Sequence, residues 1–183
     1  MNPLTTKPFF RYSIFSLLAL CICLLNSCAE TPDKFFGIAV LNTNTITDFA
    51  TPRLAKHISD STIEYPDIPS SKKNGDEAVA YVGNQILYME KVVKDIKGLT
   101  ENSSTKDIIK ESLELYAYVL PVYKNEYMAY AKLCDAKGSK EEKEAMAKQI
   151  EDKYAEAFEA KYSSLMEKGK AYADEHNLNV KWD

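Results

Sequence analysis

Residues 105–136 read TKDIIKESLELYAYVLPVYKNEYMAYAKLCDA, and this stretch decides the fold. Ile109, Leu113, Tyr116, Leu120, Tyr123, Tyr127, Tyr130 and Cys134 recur at alternating spacings of four and three. A helix gathers residues so spaced onto one face, and an apolar seam of this length asks for helical neighbours. Pro121 falls inside the seam. Its ring crowds the preceding turn and removes one backbone donor. The seam runs on unbroken past it, so the expectation is a kink and not an end. Ser104, with Asp107 three residues on, introduces the helix, and Lys137-Gly138 closes it.

The same pattern extends in both directions. Upstream, Val79, Val82, Ile86, Met89, Val93 and Ile96 form a second seam. Asn74 and Glu77 offer a cap at its start; Lys91, Lys94 and Lys97 load its last turns before Gly98. Downstream, Ser139 and Glu142 have capping-box spacing. From there Met146, Ile150, Tyr154, Phe158, Tyr162, Leu165 and Tyr172 mark a helix to about His176, with interspersed Glu, Lys and Asp on its other faces as a solvated surface. The final residues, Leu178 to Asp183, alternate apolar and polar, and Trp182 is expected to tuck them against the helices. Before residue 74 the signals weaken. Tyr65 to Gly75 reads as a loop on its turn residues. Ile46, Phe49, Ala50, Leu54 and Ile58 suggest one short helix over 46–60, broken or started at Pro52 with Thr51 as its cap. Phe35 to Leu41 is too apolar for a linker and reads as an extended segment or short helix packed on the domain. The fold class expected is all-α: an up-down bundle of three long helices plus a short N-terminal helix, occupying residues 46–183.

The first 28 residues carry a different message. Lys7 and Arg11 are the only charges before Glu30, and an apolar run from Ile14 to Leu25 follows them. Such a run suits an export signal and is shorter than the roughly 20 apolar residues needed to span a bilayer. It stops at Leu25-Asn26-Ser27-Cys28, which resembles the lipobox of bacterial lipoproteins through Leu25, Ser27 and Cys28; Asn26 departs from that pattern. The resemblance implies a signal peptide over 1–27, a diacylglyceryl thioether on Cys28, and acylation (palmitate) of the new amino group. Residues 28–45 are then the lipidated cysteine, a short tether from Ala29 to Lys34, and the apolar segment. Ala29 after the cysteine, where enteric bacteria place Asp to retain a lipoprotein in the inner membrane, points to the outer membrane. Ser27-Cys28-Ala29 also fits an ordinary small-x-small cleavage site, which gives a secreted soluble protein.

Charge narrows the partners. Without residues 1–27 the chain loses two basic residues and no acidic ones, taking the net charge from −4 to −6. An acidic chain argues against nucleic acid and against anionic headgroups, so anchoring falls to the lipid. After removal of the signal only Cys28 and Cys134 remain. With Cys28 consumed, no internal disulfide forms, and Cys134 reads as a small apolar core residue.

Catalytic and cofactor patterns do not emerge. Di-iron bundles use Glu-x-x-His, but Leu54 and Ala173 stand three positions before His57 and His176. Haem attachment through Cys-x-x-Cys-His is missing, and methionines at helical spacing read as core fillers rather than partners of His57 in a haem site. There is no Gly-x-Ser-x-Gly elbow and no glycine-rich phosphate loop. No metal or cofactor is expected. The tyrosines stand out. Tyr116, Tyr123, Tyr127 and Tyr130 share a seam, with Tyr118, Tyr81 and Tyr88 nearby, and two readings compete. They either form an interaction face for a glycan, peptide or partner helix, or fill a core with hydroxyls reaching its edge, the simpler reading. Asp60-Ser61-Thr62 resembles a short O-glycosylation acceptor of some Gram-negative bacteria, in an expected loop, and makes Ser61 a candidate for modification.

Together these features point to a membrane-anchored, non-enzymatic lipoprotein of the cell envelope that binds an envelope protein or glycan. The alternative is an envelope enzyme or small-ligand carrier whose site assembles only in the fold.

Overall fold

The structure is a computed structural model that describes residues 30–182, and all regular secondary structure among them is helical. In chain order these are α1 (Pro32–Ala39), a 3-10 turn (Leu41–Ile46), α2 (Pro52–Asp60) and a second 3-10 turn (Pro69–Ser71). The long elements follow: α3 (Glu77–Lys97), α4 (Lys106–Val122), a π-turn (Tyr123–Tyr127), α5 (Met128–Asp135) and α6 (Lys140–Glu175). The π-turn makes α4 and α5 one continuous rod. Pro121 stays inside α4, and its carbonyl accepts from the Asn125 side-chain amide at 2.8 Å. Two residues later the backbone widens, so that the Met128 N–H reaches the Tyr123 carbonyl five residues back. Proline removes one backbone donor and crowds the turn before it, while the π-turn begins two residues after it.

The expected seams are largely the buried faces. Val82, Met89 and Ile96 of α3 are buried, as are Ile150, Phe158, Leu165 and Tyr172 of α6. On α4 the buried face is broader than the expected line, and Ile109 and Tyr116 are buried as the spacing required. Ile108, Ser112, Leu115 and Val119 go inside while Leu113 and Leu120 are only half-buried. Beyond the π-turn, Tyr127, Tyr130 and Cys134 are buried as the spacing required.

The compact unit runs from Pro32 to Asp183, and Phe35, Phe36, Ala39 and Val40 belong to its core. Of the two readings of the apolar segment, extended or a short helix packed on the domain, the structure takes the helix, α1. Gly169 explains its seating: a Cβ there would lie 2.8 Å from Val40 Cγ1 and 3.6 Å from the Phe36 ring, so only glycine lets α1 approach α6 so closely. Of the two readings of the short helix over 46–60, the structure takes the start at Pro52, with the Thr51 hydroxyl accepting from the Leu54 N–H at 3.4 Å.

Helix ends follow local chemistry with two surprises. Ser139 and Glu142 form the full capping box at α6. At α4 the turn is organised by Asn102, not Ser104: its side-chain carbonyl accepts from the Ser104 and Thr105 amides at 2.9 and 3.1 Å. At α3 the Glu77 carboxylate accepts from Asn74 and Gly75, but the first-turn amides are capped from elsewhere. The Asp135 carboxylate, at the end of α5, accepts from the Ala78 and Val79 N–H groups at 3.0 Å each. A charged acceptor on two otherwise unpaired amides at a positive helix end is worth more than a neutral cap. Asp135→Ala is expected to cost about 1–2 kcal/mol, read as a lowered urea midpoint with an unchanged slope; an unchanged midpoint would show the cap to be inert.

Candidate functional site

Phe49 and Ala50 are the buried hub from which the candidate site is built. Ala50 has φ +54°, a left-handed conformation that costs an L-residue about 1–2 kcal/mol. Its N–H donates to the Tyr127 hydroxyl at 2.9 Å, in the core. The Phe49 ring stacks near Tyr123 and packs edge-on to Tyr127, both at 6.1 Å between centroids, and lies 4.9 Å from Phe158. One turn into α2 the Tyr130 hydroxyl donates to the Ala55 carbonyl at 3.2 Å. Two tyrosines of the rod thus fix where α2 begins and how it lies.

The four seam tyrosines are therefore not an exposed face. Tyr116, Tyr123 and Tyr127 are at most 1% exposed and Tyr130 is 4% exposed. Burial raises all four phenols well above their ordinary value near 10. Tyr116 and its helical neighbour Ser112 carry buried hydroxyls with no hydrogen bond in the structure. The Thr45 side chain lies close enough to Tyr116 to offset part of the rise, but its hydroxyl donates to the Asn42 carbonyl at 2.8 Å.

Fixing α2 in this way leaves a groove of about 510 Å³ between α2 and the first half of α6. Its floor is small and mostly apolar: Pro52, Ala55, Ser59, the edge of Tyr130, and Ala147. Its rim alternates in charge. Lys56 pairs with Asp60, Lys140 with Glu144 at 3.5 Å, and Lys148 with Asp152 at 2.7 Å. Lys143 and Glu151 line the groove without an ion pair between side chains among the described residues. Such a groove suits a partner that buries a narrow apolar strip and offers polar groups of both signs. Surface pairs of this kind hold little energy and exchange readily for partner contacts.

The remaining candidates fall elsewhere. Cys134 is buried beneath Tyr130 and burial pushes its thiol up, so it stays a protonated core residue rather than a nucleophile. His57 is exposed on α2. His176 caps α6 with its ring 4.2 Å from Tyr172, remote from the groove. No group of three or more His, Cys, Asp or Glu gathers to hold a metal among the described residues. Ser61 sits at the C-terminal end of α2, half-buried, its hydroxyl donating to the Ile58 carbonyl at 2.6 Å. It caps α2 in the turn that leads into the loop after the helix, so modification there has to break that bond. Cys28 lies outside the described residues. No helix among the described residues is long and apolar enough to cross a membrane. No protein-family model, curated protein or solved structure matches this chain.

Sequence reasoning missed the groove because its residues are Lys, Glu and Ala, which read as surface. The one usable signal was small residues facing each other: Ala55 and Ser59 four apart on α2, and Ala147 on α6.

Two measurements check this site. Tyr127→Phe leaves the Ala50 N–H buried and unpaired, at a cost of about 1–3 kcal/mol, measured as a lower unfolding midpoint; a neutral effect would mean the bond is not holding the turn. The buried phenols also set alkaline behaviour. Their folded pKa values lie above the unfolded value near 10, so the unfolded chain loses protons first. Stability is full below pH 10 and falls above it, by about 1.4 kcal/mol per pH unit for each such group. Tyrosinate absorbance from these residues should appear together with loss of helical circular dichroism, not before it.

Proposed function

We propose that this chain is a lipid-anchored cell-envelope protein whose helical domain is a non-enzymatic binding module. Its groove between α2 and α6 takes a segment of an envelope protein or a glycan strand. In this reading residues 1–27 direct export, Cys28 holds the acyl chains, and Ala29 favours the outer membrane. The three long helices run up and down as a scaffold, with the short N-terminal helices closing one side of it.

The observation that carries the reading is the groove itself. Its apolar floor is made of small side chains at fixed positions, held by two buried tyrosine hydrogen bonds. A shelf set by these bonds, with a rim of exchangeable charges, offers a partner a narrow apolar strip between groups of both signs. The lipobox resemblance at Leu25–Cys28 supplies the address, since two or more acyl chains give the stable anchoring that one does not.

Native mass spectrometry of the full-length protein, extracted gently from its own membranes, tests both parts. The expected result is a diacylglyceryl mass on a chain beginning at Cys28, with a protein or glycan held non-covalently. Ala147→Trp should fill the groove, release that partner, and leave the thermal midpoint within a few degrees of the parent. An unlipidated chain would remove the anchor from the proposal. A partner that stays bound to the Ala147→Trp protein would remove the groove.

A further inference from the structure

Cys28 precedes Pro32, the first residue of α1, by only four positions. Four residues, even fully extended, reach about 14 Å. No slack lies beyond Pro32, because Phe35 and Phe36 are already locked in the core at 2% exposure each. A chain held by acyl chains on Cys28 therefore keeps the N-terminal end of α1 within one short span of the membrane surface.

The C-terminal segment shares that end of the domain. After α6 the backbone reverses through Asn177, at φ +53°. The Asn177 N–H donates to the Asp174 carbonyl at 3.3 Å and the Leu178 N–H to the Ala173 carbonyl at 2.8 Å, the paired bonds of a left-handed helix stop. Leu178 and Val180 then pack against the core. Trp182 reaches α1, its ring edge-on to Phe36 with centroids 5.9 Å apart and planes at 81°. One part of the indole rests on Phe36 and the remainder, 39% of the residue's surface, stays open.

We propose that the face formed by the first turn of α1 and the C-terminal segment lies on a lipid bilayer, with the Trp182 indole at headgroup depth; this rests on the Cys28 anchor proposed above. Tryptophan suits that depth because its flat apolar ring and its N–H donor match the two sides of the interface. The net negative charge of the domain provides no attraction to anionic headgroups, so the contact is apolar and depends on the acyl chains to bring it about. The placement also fixes which surfaces look away from the membrane.

Trp182 is the only tryptophan in the chain, so its fluorescence reports this contact alone. The full-length protein, taken from its own membranes and checked by mass, is reconstituted into phosphatidylcholine vesicles with either ordinary or dibrominated acyl chains. Emission in brominated vesicles should fall at least about twofold below that in ordinary vesicles, with weak quenching by aqueous iodide, as for an interfacial indole. A lipidated protein whose emission is equal in both vesicles and open to iodide would overturn the membrane contact while leaving the anchor intact. Equal emission with iodide excluded would assign Trp182 to a protein contact, and overturns it too. A mass without acyl chains on Cys28 would overturn anchor and contact together.

Discussion

The hydrogen bond from the Ala50 amide to the Tyr127 hydroxyl, 2.9 Å long and sealed from water, is the constraint the domain is assembled around. It joins residues 77 positions apart and holds a non-glycine in a left-handed turn that it would not choose alone. An amide buried without a partner costs more than a made bond returns, so the two groups must meet or the segment must unfold. Once they meet, Phe49 enters the ring cluster of Tyr123, Tyr127 and Phe158, and α2 starts where Tyr130 can bond the Ala55 carbonyl. The position of α2, and with it the groove, follows from two phenol oxygens.

Tyrosine in such a core is a mixed choice. Its ring fills as much space as phenylalanine, and its hydroxyl selects one arrangement among those that packing alone would tolerate. Tyr127 and Tyr130 use their hydroxyls in this way. Tyr116 and Ser112 do not, and leave two adjacent buried oxygens on α4 without partners. That strip of α4 sits beside the Leu41–Ile46 turn through Thr45, and it is the part of the core where polar groups are least well served. The turn itself is well bonded: the Thr43 hydroxyl donates to the Val40 carbonyl at 2.6 Å and the Thr45 hydroxyl to the Asn42 carbonyl at 2.8 Å, which leaves neither hydroxyl proton for the α4 oxygens.

The sequence carried the long helices plainly, because a seam of apolar residues at helical spacing has few other solutions. Val82, Met89 and Ile96, or Ile150, Phe158 and Leu165, could be placed inside from spacing alone. The capping box at Ser139 was equally readable, being entirely local. What escaped were interactions made over distance. Asp135 caps α3 from another helix, 57 positions from Ala78, and no local motif announces it. Ala50 looks like a helix residue and is the left-handed pivot instead. The tyrosine seam was legible as a face, but whether that face met solvent or α2 depended on partners at the far end of the chain. The groove was illegible for the same reason: its walls are ordinary surface residues until α2 and α6 are set side by side.

The π-turn at Tyr123–Tyr127 has a consequence for everything after it. It works as a phase shifter: one additional residue in a turn advances the following helix by about 100° relative to the helix before it. Upstream, Ile108, Ser112, Leu115 and Val119 are buried together with Ile109 and Tyr116; downstream this broad face passes across the added residue into Tyr127, Tyr130, Ala131 and Cys134. A rod wound evenly from Lys106 to Asp135 would swing the Asp135 carboxylate away from the first turn of α3 and carry the Tyr130 hydroxyl off α2. The added residue is thus an angular setting, shared by a helix cap at one end of the domain and by the shelf of the groove.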